Sequence, residues 1–543
     1  MSFLLVASSA VTLTLFSPFF PIDETRYITV AWEMKLYHSF IVPMLNGLPY
    51  SHKPPFLFWL INLDWTLFGV NEKTLRFIPA LFSLFNIMLV YRIAILLWND
   101  RKIARYATII LSATGVYLVS SALVMFDILL TFWVLVGILG LLLMSKNEHP
   151  FSWLLLAASI GGGILTKRPV VFVHVLPASL LYFLWRPQGG KTFWRWYLEV
   201  LMGVCVGIGL VLIWVIPAVI QGGETYKQAI LWGQTANRVV ASFAHKRSIF
   251  WYVPLLPAML FPWIFIRPSW YGLKRLKQDK SSHFILVWAG STFVLFSLIS
   301  GKQMHYLIPM LPAINLLFAK NMASYSFDAG KENKRSQYPI AAMNVLLGII
   351  LLCLTLVKMG SDVGHISFSM IFIPGLGLML MGGFLFFVKP GSVETLLKLM
   401  AASSIGFIIL LFAGTGTLLE RYDVTPVAKI LSEKQQQGYD IVHYKKYHGQ
   451  YQFFGRLRHP LVVFNDKDSI ATYLQTHDKV ILISYEKPKK KIDAHDILYQ
   501  KRYLNKKVVI WNNTGMMHFL NPNSKNNETQ MTSSSQPPER REK

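Results

Sequence analysis

The sequence predicts a polytopic α-helical membrane protein with a small soluble α/β domain at its C-terminal end, and three observations predict it. Hydrophobic residues make up 53% of the 543-residue chain and charged residues only 15%, against about 25% charged in an ordinary soluble domain. Mean hydropathy is +0.41. Long apolar runs recur up to Leu418, whereas residues 420–543 hold no stretch near the roughly 20 residues that a spanning helix requires.

In chain order the apolar segments fall at 3–20, 76–97, 107–124, 126–144, 152–165, 170–185, 198–220, 249–266, 284–300, 304–319, 340–358, 366–388 and 398–418. That makes about thirteen spans by the hydropathy window. The first run, Phe3 to Phe20, has no basic residues before it and no small-residue cleavage site, so it reads as a retained span rather than a removed signal. Cys205 and Cys353, the only cysteines, sit inside apolar segments without a C-x-x-C or His-rich context. They are expected as small core residues, and neither a disulfide framework nor a thiolate metal site is indicated.

The formal charge of +25 does not point to nucleic acid, because most of the cations lie in short loops between apolar runs, where they act as topology signals. Loops 98–106, 186–197, 267–283 and 320–339 are rich in Lys and Arg, which places them in the cytoplasm by the positive-inside rule. Counting spans outward from them puts loop 21–75, the Asp127 end of its span, Lys167-Arg168, loop 221–248, Gly301 to Tyr306 and the C-terminal domain on the opposite face. Loop 221–248 breaks the charge rule with Lys227, Arg238, Lys246 and Arg247, and binding phosphate gives such a loop a reason to be basic.

The candidate site residues share that face. Asp23-Glu24-Thr25-Arg26-Tyr27 follows the first apolar run. A carboxylate at a low-dielectric boundary can accept a proton from an attacking hydroxyl, which favours Asp23 as a catalytic group; Glu24 serves equally well as a helix cap. Arg26, one turn on, can orient Asp23 or contact phosphate. Lys53 stands between His52 and Pro54-Pro55, whose fixed backbone aims the ammonium in a defined direction, and lysine suits phosphate as a point charge. Asp127, set among apolar residues, would be costly facing lipid and is read as catalytic or paired. Lys167 closes a glycine-rich helix, and Arg247 with His245 precedes an aromatic belt, so helix-stop and interfacial-anchor readings compete with phosphate binding for both. His305 and Tyr306 fall in a polar turn between apolar spans, where Tyr306 can donate to a phosphate oxygen.

Together the motifs D-E-T-R-Y (23–27), N-G-x-x-Y-x-x-K-P-P (46–55), an intramembrane F-D (126–127), L-T-K-x-P (165–169) and K-x-x-H-Y-x-x-P (302–309) resemble the polyprenyl-phosphate-sugar-dependent glycosyltransferases of the GT-C class. The pattern is most similar to the bacterial aminoarabinose (lipid A) transferases and their relatives in the protein mannosyltransferase superfamily. The resemblance implies a GT-C fold, a single-sugar donor on undecaprenyl phosphate, inverting transfer at the periplasmic face of the bacterial inner membrane, and a periplasmic acceptor, foremost lipid A. It implies Asp23 and Asp127 as the catalytic acidic residues, and Arg26, Lys53, Lys167, Arg247 and Tyr306 as donor or phosphate ligands. His52 stands where these transferases usually carry Glu, and Arg168 where Gly is usual. No cofactor is implied; His52 and His245 could share a divalent metal, but none is asserted. A protein acceptor is the alternative, and a lipid-linked sugar flippase the rival of another class, although no internal repeat supports a transporter.

The expected division is a transmembrane domain over 1–419, a periplasmic α/β domain over 420–521 and a disordered, polar tail over 522–543. In the α/β domain, apolar runs at Asp440–Tyr444, Leu461–Phe464, Val480–Tyr485 and Val508–Trp511 predict strands, and Lys467–Gln475 a helix.

Overall fold

The computed structural model describes residues 1–230, 247–272, 279–325, 336–359 and 368–521, with the backbone alone for 354–359, 368–370 and 414–418. Helices α1 (Ser2–Phe16) and α2 (Asp23–Leu36) precede a small hairpin, β1 (Met44–Leu45) and β2 (Leu48–Pro49). There follow α3 (Phe56–Phe68), α4 (Phe77–Trp98), α5 (Arg101–Ala113), α6 (Gly115–Ser120), α7 (Phe126–Ser145), α8 (Trp153–Lys167) and α9 (Val170–Leu180). The chain divides into two compact units: Met1–Ser17, Tyr37–Pro43 and Pro49–Thr417 form the first, and Pro18–Leu36, Met44–Leu48 and Leu418–Lys543 the second.

The first unit is helical and built for a bilayer. Among the described residues five helices are long and apolar enough to cross a membrane, and shorter apolar helices accompany them. Helix α7 is the hub, with 78% of its apolar window buried, whereas the 36-residue helix Phe193–Gln228 has only 28% buried. The long helix turns Leu201, Ile213 and Ile220 outward, as lipid-facing positions permit. Its Gly203 and Gly207 let α8 approach closely: a Cβ on Gly207 would lie 2.8 Å from the Ala157 carbonyl oxygen, so only a bare backbone fits this crossing. The two cysteines correct the expectation of core positions, since Cys205 and Cys353 are both exposed. Apolar composition does not separate a lipid-facing side from a packed one when both solvents are oily.

Four expected spans are not continuous α-helices, and that at 170–185 divides at Leu181 into Val170–Leu180 and Tyr182–Trp185. The run at 107–124 breaks at Thr114, whose backbone is extended (φ −67, ψ 118) and whose hydroxyl donates to the Ile110 carbonyl at 2.7 Å while accepting from Asn315 Nδ2 at 3.1 Å. The run at 249–266 is a 3-10 segment, Ile249–Leu255, and a four-residue helix, Leu256–Met259, because Pro254, Pro257 and Pro262 remove ladder donors. The run at 304–319 begins as a 3-10 turn, Met304–Met310, carrying Pro309, and becomes α-helical from Leu311.

The second unit holds β3 (Asp440–Tyr444), β4 (Val462–Phe464), β5 (Val480–Glu486), β6 (Ile497–Tyr503) and β7 (Lys506–Trp511) in the order β4-β3-β5-β7-β6. β3 pairs parallel with β4 and β5, and β7 pairs antiparallel with β5 and β6. Alternation along the strands sends Ile441, Ile481, Ile483, Val508 and Ile510 to one face, under helix Thr425–Gln436. Val442, Leu482, Val509 and Trp511 go to the other face with Met516 and Phe519. The predicted strands and helix are all present. β6, unpredicted, is an edge strand whose Gln500, Lys501 and Arg502 break up any apolar run. Helix α2 packs within this unit through Trp32, whose indole donates to the Leu457 carbonyl at 3.3 Å and meets Phe453 edge-on at 6.3 Å.

Candidate active site

In the first unit the site is built on the start of α7 and the end of α8. Asp127 occupies the first turn of α7, yet its carboxylate does not cap that helix. It accepts from Lys167 Nζ, at the last residue of α8, at 2.5 Å, with the two side chains only 4% and 6% exposed. An ion pair this deep in an apolar bundle persists because each charge would be far costlier alone. The Lys167 ammonium also lies 4.9 Å from the centre of the Tyr306 ring. His305 and Lys53 are further ionisable neighbours of Asp127, and the Lys53 ammonium sits 5.3 Å from the Phe126 ring.

The loop that carries Lys53 is held from both sides. His52 stacks on Tyr50 at 5.4 Å, the Tyr50 amide donates to the Pro43 carbonyl at 2.7 Å, and Arg168 Nη2 donates to the Ser51 carbonyl. Arg168 adopts φ +61, ψ −154 at the end of α8, a region essentially reserved for glycine. Arg247 is joined to the polar turn before Tyr306: its amide donates to the Ser300 carbonyl at 3.1 Å and its own carbonyl accepts from Lys302 Nζ at 3.2 Å. Its guanidinium lies 5.7 Å from the Trp251 ring. His245 lies outside the described residues, as does most of loop 221–248. Among the described residues no three His, Cys, Asp or Glu side chains gather in a way that could hold a metal ion.

His174 belongs to this neighbourhood and was missed from sequence. It is fully buried, with Lys167 and Asp127 as its charged neighbours, and neither ring nitrogen has a hydrogen-bond partner among the described residues. Its ring lies 5.1 Å from Phe296, which in turn lies 6.1 Å from Tyr306. The available signal was a lone ionisable residue inside the apolar run Val170 to Leu180.

In the second unit, α2 presents Asp23 with its Oδ1 accepting from Arg26 Nη2 at 2.5 Å and from the Tyr27 hydroxyl at 3.2 Å. The Asp23 side chain is 45% exposed and so reachable. Glu24, by contrast, is buried and turns back to accept the Phe20 amide at 2.9 Å, the work of a helix-start carboxylate. Further along α2, Glu33 accepts the amides of Asn46 and Gly47 at 2.7 and 2.9 Å. Asn46 then reads the backbone of Leu461 both ways, donating to its carbonyl at 2.9 Å and accepting its amide at 2.8 Å. Asp23, Glu24 and Arg26 thus belong to the second unit, and His52, Lys53, Asp127, Lys167, Arg247, His305 and Tyr306 to the first.

Chemically, a buried ammonium paired with a carboxylate, beside a phenol and a second lysine, suits an anion whose charge grows during reaction. Comparison with known proteins points the same way. Residues 52–220 match the family described as dolichyl-phosphate-mannose-protein mannosyltransferase. The undecaprenyl phosphate-alpha-4-amino-4-deoxy-L-arabinose arabinosyl transferase 1 of Pseudomonas fluorescens is 30% identical over 309 residues, covering 55% of each chain. The corresponding transferase 2 of Proteus mirabilis is 26% identical over 343 residues, covering 60% of this chain and 59% of its own. The chain therefore spans somewhat over half the length of these curated relatives. Its fold is that of ArnT from Cupriavidus metallidurans, solved bound to undecaprenyl phosphate: TM-score 0.74 at 19% identity, over 93% of this chain and 96% of the other. The apo form of the same protein gives 0.72 at 18% identity, over 94% and 97%. The resemblance to aminoarabinose transferases and the protein mannosyltransferase superfamily is borne out in sequence and in fold.

Proposed function

We propose that this chain is an integral membrane glycosyltransferase that moves a single sugar from undecaprenyl phosphate to lipid A. The observation that carries this reading is the buried Lys167–Asp127 pair with Tyr306, His305 and Lys53 around it, in a chain with the fold of a protein solved with undecaprenyl phosphate bound. In this reading the protein has about thirteen spans over 1–419 in the bacterial inner membrane. The site and the α/β domain (420–521) face the periplasm, and 522–543 form a polar tail.

The reaction is an inverting displacement. An acceptor oxygen attacks the anomeric carbon, the bond from that carbon to the phosphate oxygen breaks, and its electron pair leaves on the phosphate. Lys53, Lys167, Arg247 and Tyr306 stabilise the charge that grows there, and Asp127 aims the Lys167 ammonium through their 2.5 Å contact. A hydroxyl acceptor loses its proton to Asp23, which Arg26 orients through the 2.5 Å contact; an ionised phosphate acceptor needs no such base.

Mass spectrometry of lipid A and total envelope glycans from cells expressing this chain, its Asp23→Asn variant or neither tests the reading. A sugar-sized increment on lipid A that requires the intact chain is expected. An increment on protein instead would replace lipid A with a protein acceptor, and identical spectra in cells shown to contain the donor lipid would overturn the proposal.

A further inference from the structure

Helix Lys280–Leu298 ends at Ile299, where the backbone becomes extended, and the chain turns through Ser300 to Gln303 into the 3-10 segment that carries Tyr306. Lys302 lies within that turn. It is 2% exposed as a residue, and its Nζ donates to the Ile299 carbonyl at 2.5 Å and to the Arg247 carbonyl at 3.2 Å. Among the described residues no carboxylate pairs with it, whereas the other two buried lysines, Lys167 and Lys191, each face one. A helix end explains how a cation is held there without a counter-ion. The last carbonyls of a helix lack intrahelical partners and carry the negative end of its dipole, and Ile299 closes such an end.

The same ammonium joins two stretches of chain that are distant in sequence. Arg247 is bound to the turn twice, through its amide to the Ser300 carbonyl at 3.1 Å and through its carbonyl to Lys302. Further along, the Tyr252 hydroxyl donates to the Gln303 carbonyl at 3.2 Å, and that carbonyl also accepts the Tyr306 amide at 3.1 Å. One turn thus sets both Arg247 and Tyr306, and Tyr306 in its turn lies against the Lys167 ammonium. Of these ties only the Lys302 contacts bring a formal charge with them.

With Arg247 and Tyr306 read as ligands of the donor phosphate, as proposed above, we infer that Lys302 is a positioning residue for phosphate binding: its ammonium locks Arg247 to the turn that carries Tyr306, so that guanidinium and phenol stand ready before the donor arrives. Groups fixed in advance need no ordering when the ligand binds. The Lys302 charge, uncancelled by a carboxylate, also adds to the positive field that an incoming phosphate meets. An apolar side chain in its place leaves the Ile299 and Arg247 carbonyls of a buried turn without that donor. The ties from the Arg247 amide and the Tyr252 hydroxyl survive such a change, so the turn persists while Arg247 loses half of its anchorage.

The test is a titration of the full chain in nanodiscs with undecaprenyl phosphate, for wild type, Lys302→Met, Arg247→Ala and the double variant, with thermal unfolding measured on each. Lys302→Met is expected to weaken binding about tenfold or more in the wild-type background and only about twofold in the Arg247→Ala background, where nothing is left to position. A merely structural lysine would cost the same in both. Lys302→Gln, which keeps a donor for one carbonyl, is expected to lose less affinity than Lys302→Met, and it replaces that variant in the cycle if Lys302→Met shows no melting transition. Wild-type affinity in Lys302→Met or in Arg247→Ala, or equal losses in both backgrounds, would overturn the inference while the functional reading stands. A wild-type chain that does not bind undecaprenyl phosphate would instead sink the functional reading, and the inference with it.

Discussion

Lys167 and Asp127 close a single 2.5 Å contact between the end of α8 and the start of α7, and both side chains are nearly buried. Removing one partner leaves the other charged and unpaired in an apolar bundle, a loss of about 3–5 kcal/mol. Lys167→Met is therefore expected to lower the melting temperature sharply and abolish activity. The double variant Lys167→Met with Asp127→Leu is expected to recover most of the stability and none of the activity. Thermal unfolding in detergent, with sugar transfer measured in parallel, separates the two effects. A double variant no more stable than Lys167→Met would show that the pair is not what holds these helix ends.

Arg168 has two opposed effects on one residue. Its φ of +61 and ψ of −154 place an L-side chain where glycine belongs, at a cost of about 1–3 kcal/mol, while its guanidinium holds the Ser51 carbonyl beside His52 and Lys53. Arg168→Gly is expected to raise the melting temperature and also to raise the donor KM several-fold, because the Lys53 loop loses its tie. Arg168→Ala keeps the strained backbone without the tie, so both stability and affinity are expected to fall. A donor KM unchanged in both variants would show that the Ser51 contact does not serve the site.

Some of this was legible in the chain and some was not, for physical reasons. Asp127 stands out because a carboxylate among leucines demands a partner. Its partner did not stand out, because a lysine at a helix end is equally a normal stop signal, and only the crossing of α7 and α8 pairs the two. Asp23 and Glu24 are adjacent and chemically alike; the helix geometry that sends Glu24 to the Phe20 amide and leaves Asp23 accessible is not written in composition. The apolar runs at 249–266 and 304–319 read as spans because hydropathy counts side chains, whereas prolines act on backbone donors. Glu33 escaped notice since its partners are backbone amides, which every sequence has.

His443 gives the sheet unit a pH dependence of defined sign. Its Nδ1 sits 3.0 Å from the Lys445 carbonyl, its Nε2 has no hydrogen-bond partner among the described residues, and Tyr447 and Tyr485 flank the ring. Burial, against the Lys445 carbonyl, pushes its pKa down from 6.5 to about 4. Between those values the unfolded chain binds the proton and the folded one does not, so stability falls as pH drops from about 6.5 to about 4, by about 3 kcal/mol in all. Glu33 works in the opposite sense: burial raises its pKa, so its contribution is lost as pH rises. The comparison of His443→Phe with wild type isolates the histidine. Amide hydrogen exchange in β3 and β5 of the full chain is expected to accelerate on acidification in wild type and much less in the variant; equal acceleration in both would refute the assignment.

Glu33 anchors the Asn46-Gly47 turn, whose residues take φ +55 and +73, and through Asn46 it stabilises the backbone at Leu461. Glu33 is 2% exposed as a residue, and its carboxylate accepts two amides at once, a task that needs two acceptor oxygens and no donor. Glu33→Gln keeps the shape but turns an NH2 group toward one of those amides, leaving a buried donor unsatisfied at a cost of about 1–3 kcal/mol. Glu33→Asp keeps the charge yet falls one methylene short. Both variants are expected to lower the melting temperature and to speed exchange at the amides of Asn46, Gly47 and Leu461, while helix Thr425–Gln436 exchanges as before. Protection at Leu461 that survives Glu33→Gln would mean that Asn46 holds its place without the carboxylate.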